Sequence, residues 1–487
     1  MESSPAAMIK FLIPKIPFMT KTALLHTLSF SETSSKWDLR TELTVKVLRQ
    51  VLGPNGTPST VTKQQRLTTK DPGVKGKVWV CKVTCPVDEG DGVRQTLFKC
   101  IQEMGDGTEK FTPPASQPLE AEWNGYRADA TDTTPEPVGL TEQEKYDKLV
   151  SETTSKVTVL YFHGGAMYLL DPATYRLITS RIARETGGRV FSIRYRLSPQ
   201  HPFPSALLDA LTSYLTLLHP PPGSPHPPIP ASQIIFGGDS AGGLLCASLL
   251  QLLLHLHRSS ITAPPTVPFH GEIVDVPMPG GVALSSPWLD VTRSLPSVEG
   301  LAKYDYLPPP SLTARKTYPA CEAWPTSPPR ADMYCEGPAY CHPLVSPLAA
   351  KDWTGAPPVF FGLGQEMLRD EDAVLAGRIA GQGGVVWYRE FESMPHCFGF
   401  MLTFHRACGV YWGEYGGFCV RAVEGGEMGE EGEREGVESG AGAVVFEAKT
   451  LERRVVDIEG LSRLTEGEVD DLMSKGMERL ERSVGAG

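Results

Sequence analysis

The chain has 487 residues, of which 41% are hydrophobic, and a formal net charge of −11 at pH 7. This length suffices for one large domain with additions or for two domains. The negative charge disfavours a nucleic acid or an anionic membrane as the main partner, so we expect no nucleic-acid binding. The ten cysteines lack zinc-finger spacing, which predicts reduced thiols, no metal site and an intracellular protein, cytoplasmic or peripheral to a membrane.

The N-terminal region, residues 1–150, has a polar and mixed composition. It is predicted to form a cap with an extra β region, because residues 78–83 and 96–101 are rich in β-formers. The apolar stretch 9–30 is interrupted by three lysines and two prolines, whereas a spanning helix needs about 20 mostly apolar residues. We therefore expect no transmembrane span and interpret this stretch as cap or as structure that contacts a membrane interface.

Residues 151–415 alternate between apolar, strand-like runs and helical patterns. The strand-like runs lie at residues 157–162, 190–195, 233–236, 282–285, 359–361 and 385–391. Such alternation is typical of a parallel sheet whose two faces are covered by helices, so an α/β catalytic domain is predicted here. The Pro-rich stretch at about 293–345 is too long for a simple connection and is interpreted as a cap insertion.

The C-terminal part has a different composition. Residues 424–442 are almost entirely Gly and Glu, which predicts a flexible segment because few apolar side chains are available for burial. After it, Thr465 and Glu468 have the spacing of a capping box that opens a helix. The apolar face of this helix carries Val469, Leu472, Met473 and Leu480. Residues 443–487 are therefore predicted to be a C-terminal segment with an amphipathic helix.

The sequence from Gly238 to Gly242, Gly-Asp-Ser-Ala-Gly, fits the pattern G-x-S-x-G. It follows a short apolar strand and precedes a helical pattern, which is the context of a nucleophile elbow. Glycine is needed on both sides because side chains would clash in so tight a turn. The helix N-terminus also favours a developing negative charge on the serine oxygen. We predict that Ser240 is a catalytic nucleophile.

A second glycine motif, His163-Gly-Gly-Ala166, follows an earlier strand-like run. Glycines allow backbone N–H groups to point into a site without a side chain in the way. We predict that the N–H groups of Gly164 and Gly165 form an oxyanion hole together with the N–H of Ala241. His163 itself is interpreted as an organiser of this loop.

The remaining members of a Ser–acid–His triad are expected late in the chain. His396 lies in a loop after the run 385–391, where a catalytic base is required. Glu366 lies just past the run 359–361 and is the predicted triad acid. Asp370 is the alternative, although it falls where the next helix begins and the helix dipole explains it without catalysis.

These motifs resemble those of the hormone-sensitive-lipase-like branch of the α/β-hydrolases, over about residues 157–400. Besides the motifs above, the resemblance rests on segments at residues 195–204, 286–290, 342–348, 368–371 and 394–396. It implies the α/β-hydrolase fold, a mostly parallel central sheet flanked by helices, with a lid built from the N-terminal segment and the insertion. It also implies carboxylesterase-type activity and no metal or organic cofactor.

Three positions depart from the pattern of that branch. Ala166 replaces the third glycine of the oxyanion loop, a place where the branch tolerates a small residue. Gln200 stands where Glu is commoner. Glu366 stands where the branch usually has its catalytic Asp, at the usual distance of 30 residues before His396. The glutamate is one methylene longer, so the site must accommodate it.

The long N-terminal region, the stretch from Trp123 to Tyr126 and the C-terminal helix resemble fungal members of the branch, some described as steryl acetyl hydrolases. We predict a serine carboxylic-ester hydrolase that acts through an acyl-enzyme on a lipophilic or short-acyl ester, such as an acetate. A non-catalytic small-molecule receptor on this fold is disfavoured by the presence of both Ser240 and His396. An acyltransferase with the same triad remains open.

Overall fold

The computed structural model describes residues 12–53, 59–313, 318–425 and 441–484. The strands in these ranges are β1 (Val78–Cys85), β2 (Leu119–Tyr126), β3 (Thr158–Phe162), β4 (Arg189–Ile193), β5 (Ile234–Asp239), β6 (Thr266–Phe269), β7 (Glu272–Asp275), β8 (Gly281–Ser285), β9 (Val359–Gly364), β10 (Val386–Phe391), β11 (Gly442–Phe446) and β12 (Arg453–Val456).

The helices of the same ranges surround these strands. They are α1 (Ile16–Thr27), α2 (Leu39–Leu52), α3 (Val61–Thr68), α4 (Gly92–Met104), α5 (Glu142–Ser151), α6 (Pro172–Thr186), α7 (Ser205–Leu218), α8 (Ala241–Ser259), α9 (Ser297–Gly300), α10 (Pro310–Thr313), α11 (Arg369–Gly381), α12 (Phe398–Met401), α13 (Arg406–Glu424) and α14 (Glu466–Val484). Short 3₁₀ turns lie at Ile13–Lys15, Ala231–Gln233, Ala302–Tyr304, Gly337–Ala339 and Pro347–Ala349.

Ten of the strands form one sheet, in the order β1-β2-β4-β3-β5-β8-β9-β10-β11-β12. Neighbouring strands from β4 to β11 are parallel. The outer pairs β1/β2, β2/β4 and β11/β12 are antiparallel. The predicted fold class, a mostly parallel sheet flanked by helices, is confirmed. The strands β6 and β7 form a separate hairpin.

The central strands read as continuous apolar runs because both faces of the sheet are covered. In β3, Leu160 and Phe162 pack on one face, and Val159 and Tyr161 pack on the other. The first face is covered by α4, α7, α8, α11 and α14, and the second by α2, α6 and α13. This packing fixes the carboxyl ends of β5, β8, β9 and β10 side by side.

The predicted β-rich stretch 96–101 is wrong, because these residues lie in α4. The buried residues of α4 recur at helical spacing; they are Val93, Leu97, Cys100 and Ile101. A short apolar run cannot by itself distinguish a strand from a buried helix face. The second N-terminal strand is instead β2, which contains Trp123 and extends the sheet between β1 and β4.

In its described residues, the region between β8 and β9 contains short helices and turns, in the place where the cap insertion was predicted. Near the C-terminus, the Thr465 N–H donates to Glu468 Oε2 at 2.8 Å and the Glu468 N–H donates to Thr465 Oγ1 at 3.3 Å, so the capping box precedes α14. The predicted flexible segment 424–442 lies mostly outside the described residues. Its ends do not, since Glu424 ends α13 and Gly442 begins β11.

Gln200, which stands where Glu is commoner in the branch, has a structural role. Its side chain exchanges hydrogen bonds of 2.8 and 3.1 Å with the side chain of Gln65 in α3.

None of the described helices is both long and apolar enough to cross a membrane.

Candidate active site

The turn between β5 and α8 holds Ser240 in a strained conformation, with φ 53° and ψ −119°. A Cβ added at Gly238 would lie 2.4 Å from the Gly242 oxygen, and one added at Gly242 would lie 1.9 Å from the Phe162 oxygen. Both positions therefore require glycine, as the sequence predicted. The Ser240 side chain makes no capping hydrogen bond to its helix, and the residue is partly exposed.

Asp239, the residue before the serine, anchors the elbow to the loop after β3. Its Oδ1 accepts hydrogen bonds from the Tyr161 hydroxyl at 2.7 Å and the Gly164 N–H at 3.0 Å. Its Oδ2 accepts one from the Tyr175 hydroxyl at 2.8 Å. Burial raises the pKa of Asp239 to about 6, although these donors oppose the rise. Sequence reasoning missed this role, because nothing local pairs position 239 with the two tyrosines.

The oxyanion prediction needs a correction at Gly164. Its N–H donates to Asp239, so it is not free to stabilise an oxyanion. The next two residues, Gly165 and Ala166, have φ values of +107° and +52°. Their backbone N–H groups make no hydrogen bond within the described part of the chain, and both residues are at least partly exposed. Ala241 begins α8, where an N–H has no partner within the helix.

His163 lies buried behind this loop. Its Nδ1 is 2.7 Å from the Gly164 oxygen, and the Tyr195 hydroxyl donates to the His163 oxygen at 2.7 Å. The two rings stack with centroids 4.4 Å apart. Burial lowers the pKa of His163 to about 4, so the imidazole is neutral at pH 7. These contacts fit an organiser of the loop rather than a base.

Glu366 and His396 meet just past the ends of β9 and β10. His396 Nδ1 lies 3.1 Å from Glu366 Oε1, and the side chains are 3% and 0% exposed. Glu366 Oε2 also accepts the Leu368 N–H at 2.9 Å. Asp370 instead accepts the Ser297 N–H at 2.9 Å and so ties the start of α11 to α9. The structure therefore brings Glu366, and not Asp370, to His396.

The electrostatics of His396 favour its charged form. Burial alone would lower its pKa, but the neighbouring Cys397 sulfur and the Glu366 carboxylate reverse this and hold the pKa of His396 well above its usual value. The ring of Tyr306 covers His396, with centroids 6.0 Å apart. A carboxylate that stabilises an imidazolium is the electrostatic requirement of a catalytic acid–base pair.

The serine and histidine loops converge at the end of β8. The Ser240 N–H donates to the Ser285 oxygen at 3.0 Å, and the Cys397 N–H donates to Ser286 Oγ at 3.2 Å. No hydrogen bond joins the Ser240 hydroxyl to His396 among the described residues. Such catalytic bonds are often long before substrate binds.

One group of potential metal ligands occurs among the residues of known position: Cys100, Glu103 and His255. It lies on α4 and α8, away from the elbow. His255 Nε2 is already 2.9 Å from Glu103 Oε2, and burial raises the pKa of Cys100 to about 12. The contact between His255 and Glu103 and a neutral Cys100 thiol account for the arrangement of this group.

Comparison with known proteins assigns the chain to a family. A sequence profile described as the alpha/beta hydrolase fold matches residues 159–400. The chain is 31% identical over 242 residues to the Acetyl-hydrolase of Streptomyces hygroscopicus, covering 49% of this chain and 67% of that protein. It is 29% identical over 241 residues to the Carboxylic ester hydrolase LipN of Mycobacterium tuberculosis, covering 49% and 56%. For Lipase 2 of a Moraxella species the identity is 25% over 268 residues, covering 53% and 58%.

Solved structures resemble the chain in fold. An esterase from the bacterial hormone-sensitive lipase family matches with a TM-score of 0.51 and 20% identity, over 80% of this chain and 99% of that one. A hormone-sensitive lipase from a metagenome library matches with a TM-score of 0.50 and 22% identity, over the same shares of the two chains.

Proposed function

Because the chain belongs to the α/β-hydrolase fold family, we propose that it is a serine carboxylic ester hydrolase that acts through an acyl-enzyme. Ser240 is the nucleophile, His396 the general base and Glu366 the acid that orients it. One observation carries the proposal: the loops after β5, β9 and β10 bring a strained serine to the same edge of the sheet as a buried Glu–His pair 3.1 Å apart. Strain and buried charge are costly and concentrate at functional sites.

Ester hydrolysis as the class of reaction is supported for the matched part of the chain by relatives named as an acetyl-hydrolase, a lipase and a carboxylic ester hydrolase. The chain spans about two thirds of the first of these relatives and little more than half of the other two. The serine mechanism, the acyl-enzyme and the substrate are our proposal.

In this mechanism the Ser240 oxygen attacks the ester carbonyl carbon while His396 accepts the hydroxyl proton. The electron pair of the carbonyl π bond moves to oxygen, and the N–H groups of Gly165, Ala166 and Ala241 stabilise the oxyanion. When the intermediate collapses, the alcohol leaves with the proton from His396 and the acyl group stays on Ser240. Water then attacks with His396 as base, and the carboxylic acid is released.

The substrate is proposed to be a lipophilic or short-acyl ester, with acetate esters the first to test. One relative is named Acetyl-hydrolase, which supports an acetyl group. Acyl transfer to another alcohol would use the same residues, and comparing released acid with transferred ester distinguishes the two reactions. A receptor that binds without turnover is opposed by the buried Glu366–His396 pair, since binding alone does not need it.

The test is hydrolysis of chromogenic esters of increasing acyl length by the wild type, Ser240→Ala and Ser248→Ala. Ser248 is buried in the same helix and makes no side-chain hydrogen bond, so it is a matched control. Ser240→Ala should lower kcat by about 10⁴-fold or more and leave Tm unchanged, whereas Ser248→Ala should stay near wild type. Equal activity of wild type and Ser240→Ala would reject the proposed nucleophile.

We also propose that α1 contacts a membrane interface. Five large apolar side chains in and around α1 are each more than half exposed; they are Ile13, Ile16, Leu24, Leu28 and Phe30. Residues 12–30 include two lysines and no acidic residue, which complements an anionic lipid surface. A lipophilic substrate would be met at such a surface.

A further inference from the structure

A second carboxyl group lies beside the proposed triad acid. Asp305 follows the 3₁₀ turn Ala302–Tyr304 in the region between β8 and β9, and it is completely buried. Its Oδ2 accepts the N–H of Met367, the residue after Glu366, at 3.2 Å. Its Oδ1 accepts the N–H groups of Tyr306 at 2.7 Å and Leu307 at 3.1 Å. The acid loop after β9 is therefore bonded directly to this side chain.

The carboxyl groups of Asp305 and Glu366 are both completely buried, and Asp305 bonds to the residue that follows Glu366. Two neighbouring negative charges are strongly disfavoured where water is excluded, so such a pair resists the loss of its second proton. Burial and the charge on Glu366 raise the pKa of Asp305 to about 7, against an attraction from His396. Asp305 therefore keeps its proton to a higher pH than an exposed aspartate does.

We propose that Asp305 is a positioning residue for the triad acid: its carboxyl group accepts the N–H of Met367 and so holds the loop that places the Glu366 carboxylate against His396. This inference rests on the proposed function, because it takes Glu366 as the triad acid. Glutamate has one more rotatable bond than the usual aspartate, so more conformational freedom must be removed to orient it. Asp305 restrains the backbone beside Glu366 through Met367, and the Leu368 N–H restrains the carboxylate that faces His396.

Arg49 of α2 holds Asp305 from the other side. Its Nε donates to the Asp305 oxygen at 2.8 Å, and its Nη2 donates to the oxygens of Ala302 and Lys303 at 3.0 Å each. Arg49 lies outside the segment 159–400 that matches the family profile. The N-terminal region is thus connected to the acid loop, because Arg49 bonds to Asp305 and Asp305 bonds to Met367, the residue after Glu366.

The charge on Asp305 should affect the pH at which His396 becomes an active base. When Asp305 loses its proton, a second negative charge appears near His396 and stabilises the imidazolium, so His396 gives up its proton at higher pH. The charged and titratable groups that face Asp305 from the elements packed against it are Glu366, His396, Arg49, Arg293 and Tyr306. Replacement of Asp305 by a neutral side chain should therefore lower the pH at which His396 becomes an active base.

The experiment compares Asp305→Asn and Asp305→Leu with the wild type, using kcat and KM for one chromogenic ester from pH 5.5 to 9. The amide oxygen of asparagine can still accept the Met367 N–H, so its kcat at pH 7 should stay within about 3-fold of wild type. Leucine cannot accept this hydrogen bond, and kcat should fall about 10- to 100-fold with little change in KM, as when a group that orients a reacting side chain is lost. The acidic limb of kcat/KM should move down by about half a pH unit or more in both variants.

The matched control is Asp332→Asn, an aspartate of the same insertion whose Oδ1 accepts the Tyr334 N–H at 2.7 Å. It should leave the acidic limb in place. Normal kcat in Asp305→Leu, or an unmoved limb in Asp305→Asn, would overturn the role of Asp305 while leaving the proposed function intact. If Asp305→Leu does not fold, the acidic limb of the kcat/KM profile of Asp305→Asn is the deciding measurement. Wild type without ester hydrolysis would instead mean that the proposed function itself fails.

Discussion

Three buried carboxyl groups define the site at the scale of single residues: Asp239, Asp305 and Glu366, exposed by 3%, 0% and 0%. A buried charge is tolerated only where donors or an opposite charge compensate for lost water. Asp239 is bonded to two tyrosine hydroxyls and a backbone N–H, whereas Glu366 has His396 and the Leu368 N–H. Each group therefore fixes the loop that supplies its donors.

Substitutions at the acid test its assignment. Glu366→Gln should keep the fold and lower kcat by roughly 10²- to 10⁴-fold, because an amide cannot supply the negative charge that stabilises the imidazolium. Glu366→Asp keeps the charge and shortens the reach, so it should retain partial activity. The control is Asp370→Asn, which removes the charge of a side chain that contacts Ser297 and Arg369 and should cost about 1 kcal/mol or less in stability.

The measurement is kcat/KM for the three variants on one ester, with melting temperatures alongside. If Asp370→Asn were inactive and Glu366→Gln nearly normal, the roles of the two acids would be exchanged. Such a result would also mean that the 3.1 Å contact between Glu366 and His396 is not the contact used in catalysis.

At the scale of secondary structure, residues with strong local patterns were predictable. The elbow at Ser240 and the loop at His396 follow buried strands that the apolar runs mark, and the structure has β5 and β10 at these places. The helix α4 was misread as a strand because its apolar residues were considered as a run and not at helical spacing. Gly164 was assigned to the oxyanion hole because its partner, Asp239, lies 75 residues away and no local pattern links them.

The exposed apolar surface of α1 gives a prediction at the same scale. Leu24→Ser combined with Leu28→Ser should weaken binding to vesicles of mixed neutral and anionic lipid by about 10-fold or more, since each buried leucine side chain contributes about 1.5–3 kcal/mol. Co-sedimentation with vesicles measures the bound fraction. Hydrolysis of a water-soluble ester is the control and should not change.

Two results would weigh against a lipid contact at α1. The wild type would fail to bind the vesicles at all, or the double variant would bind as well as the wild type. If binding does not depend on the anionic lipid content, the apolar side chains alone make the contact. That result would contradict the part proposed for the lysines.

At the scale of the whole molecule, the N-terminal region and the insertion meet over the catalytic sheet. Arg49 bonds to Asp305 across 256 positions of the sequence, and the hydroxyl of Tyr168, just after the oxyanion loop, lies 3.1 Å from that of Tyr318 in the insertion. The Arg49 contact supports the proposal that the N-terminal helices and the insertion 293–345 contribute to a cap, whereas β1 and β2, also within residues 1–150, are strands of the sheet itself. Sequence periodicity carries no information about contacts so far apart, so neither Arg49 nor Asp305 could be predicted.

The most direct test of the central claim is mass spectrometry of the intact protein after reaction with a fluorophosphonate. We predict that the wild type gains the mass of one phosphonyl group, located on the peptide that contains Ser240, and loses its esterase activity in proportion. Ser248→Ala should be labelled equally, and Ser240→Ala should not be labelled. A wild type that hydrolyses esters without labelling at Ser240, or a Ser240→Ala variant that is still labelled and active, would contradict the account.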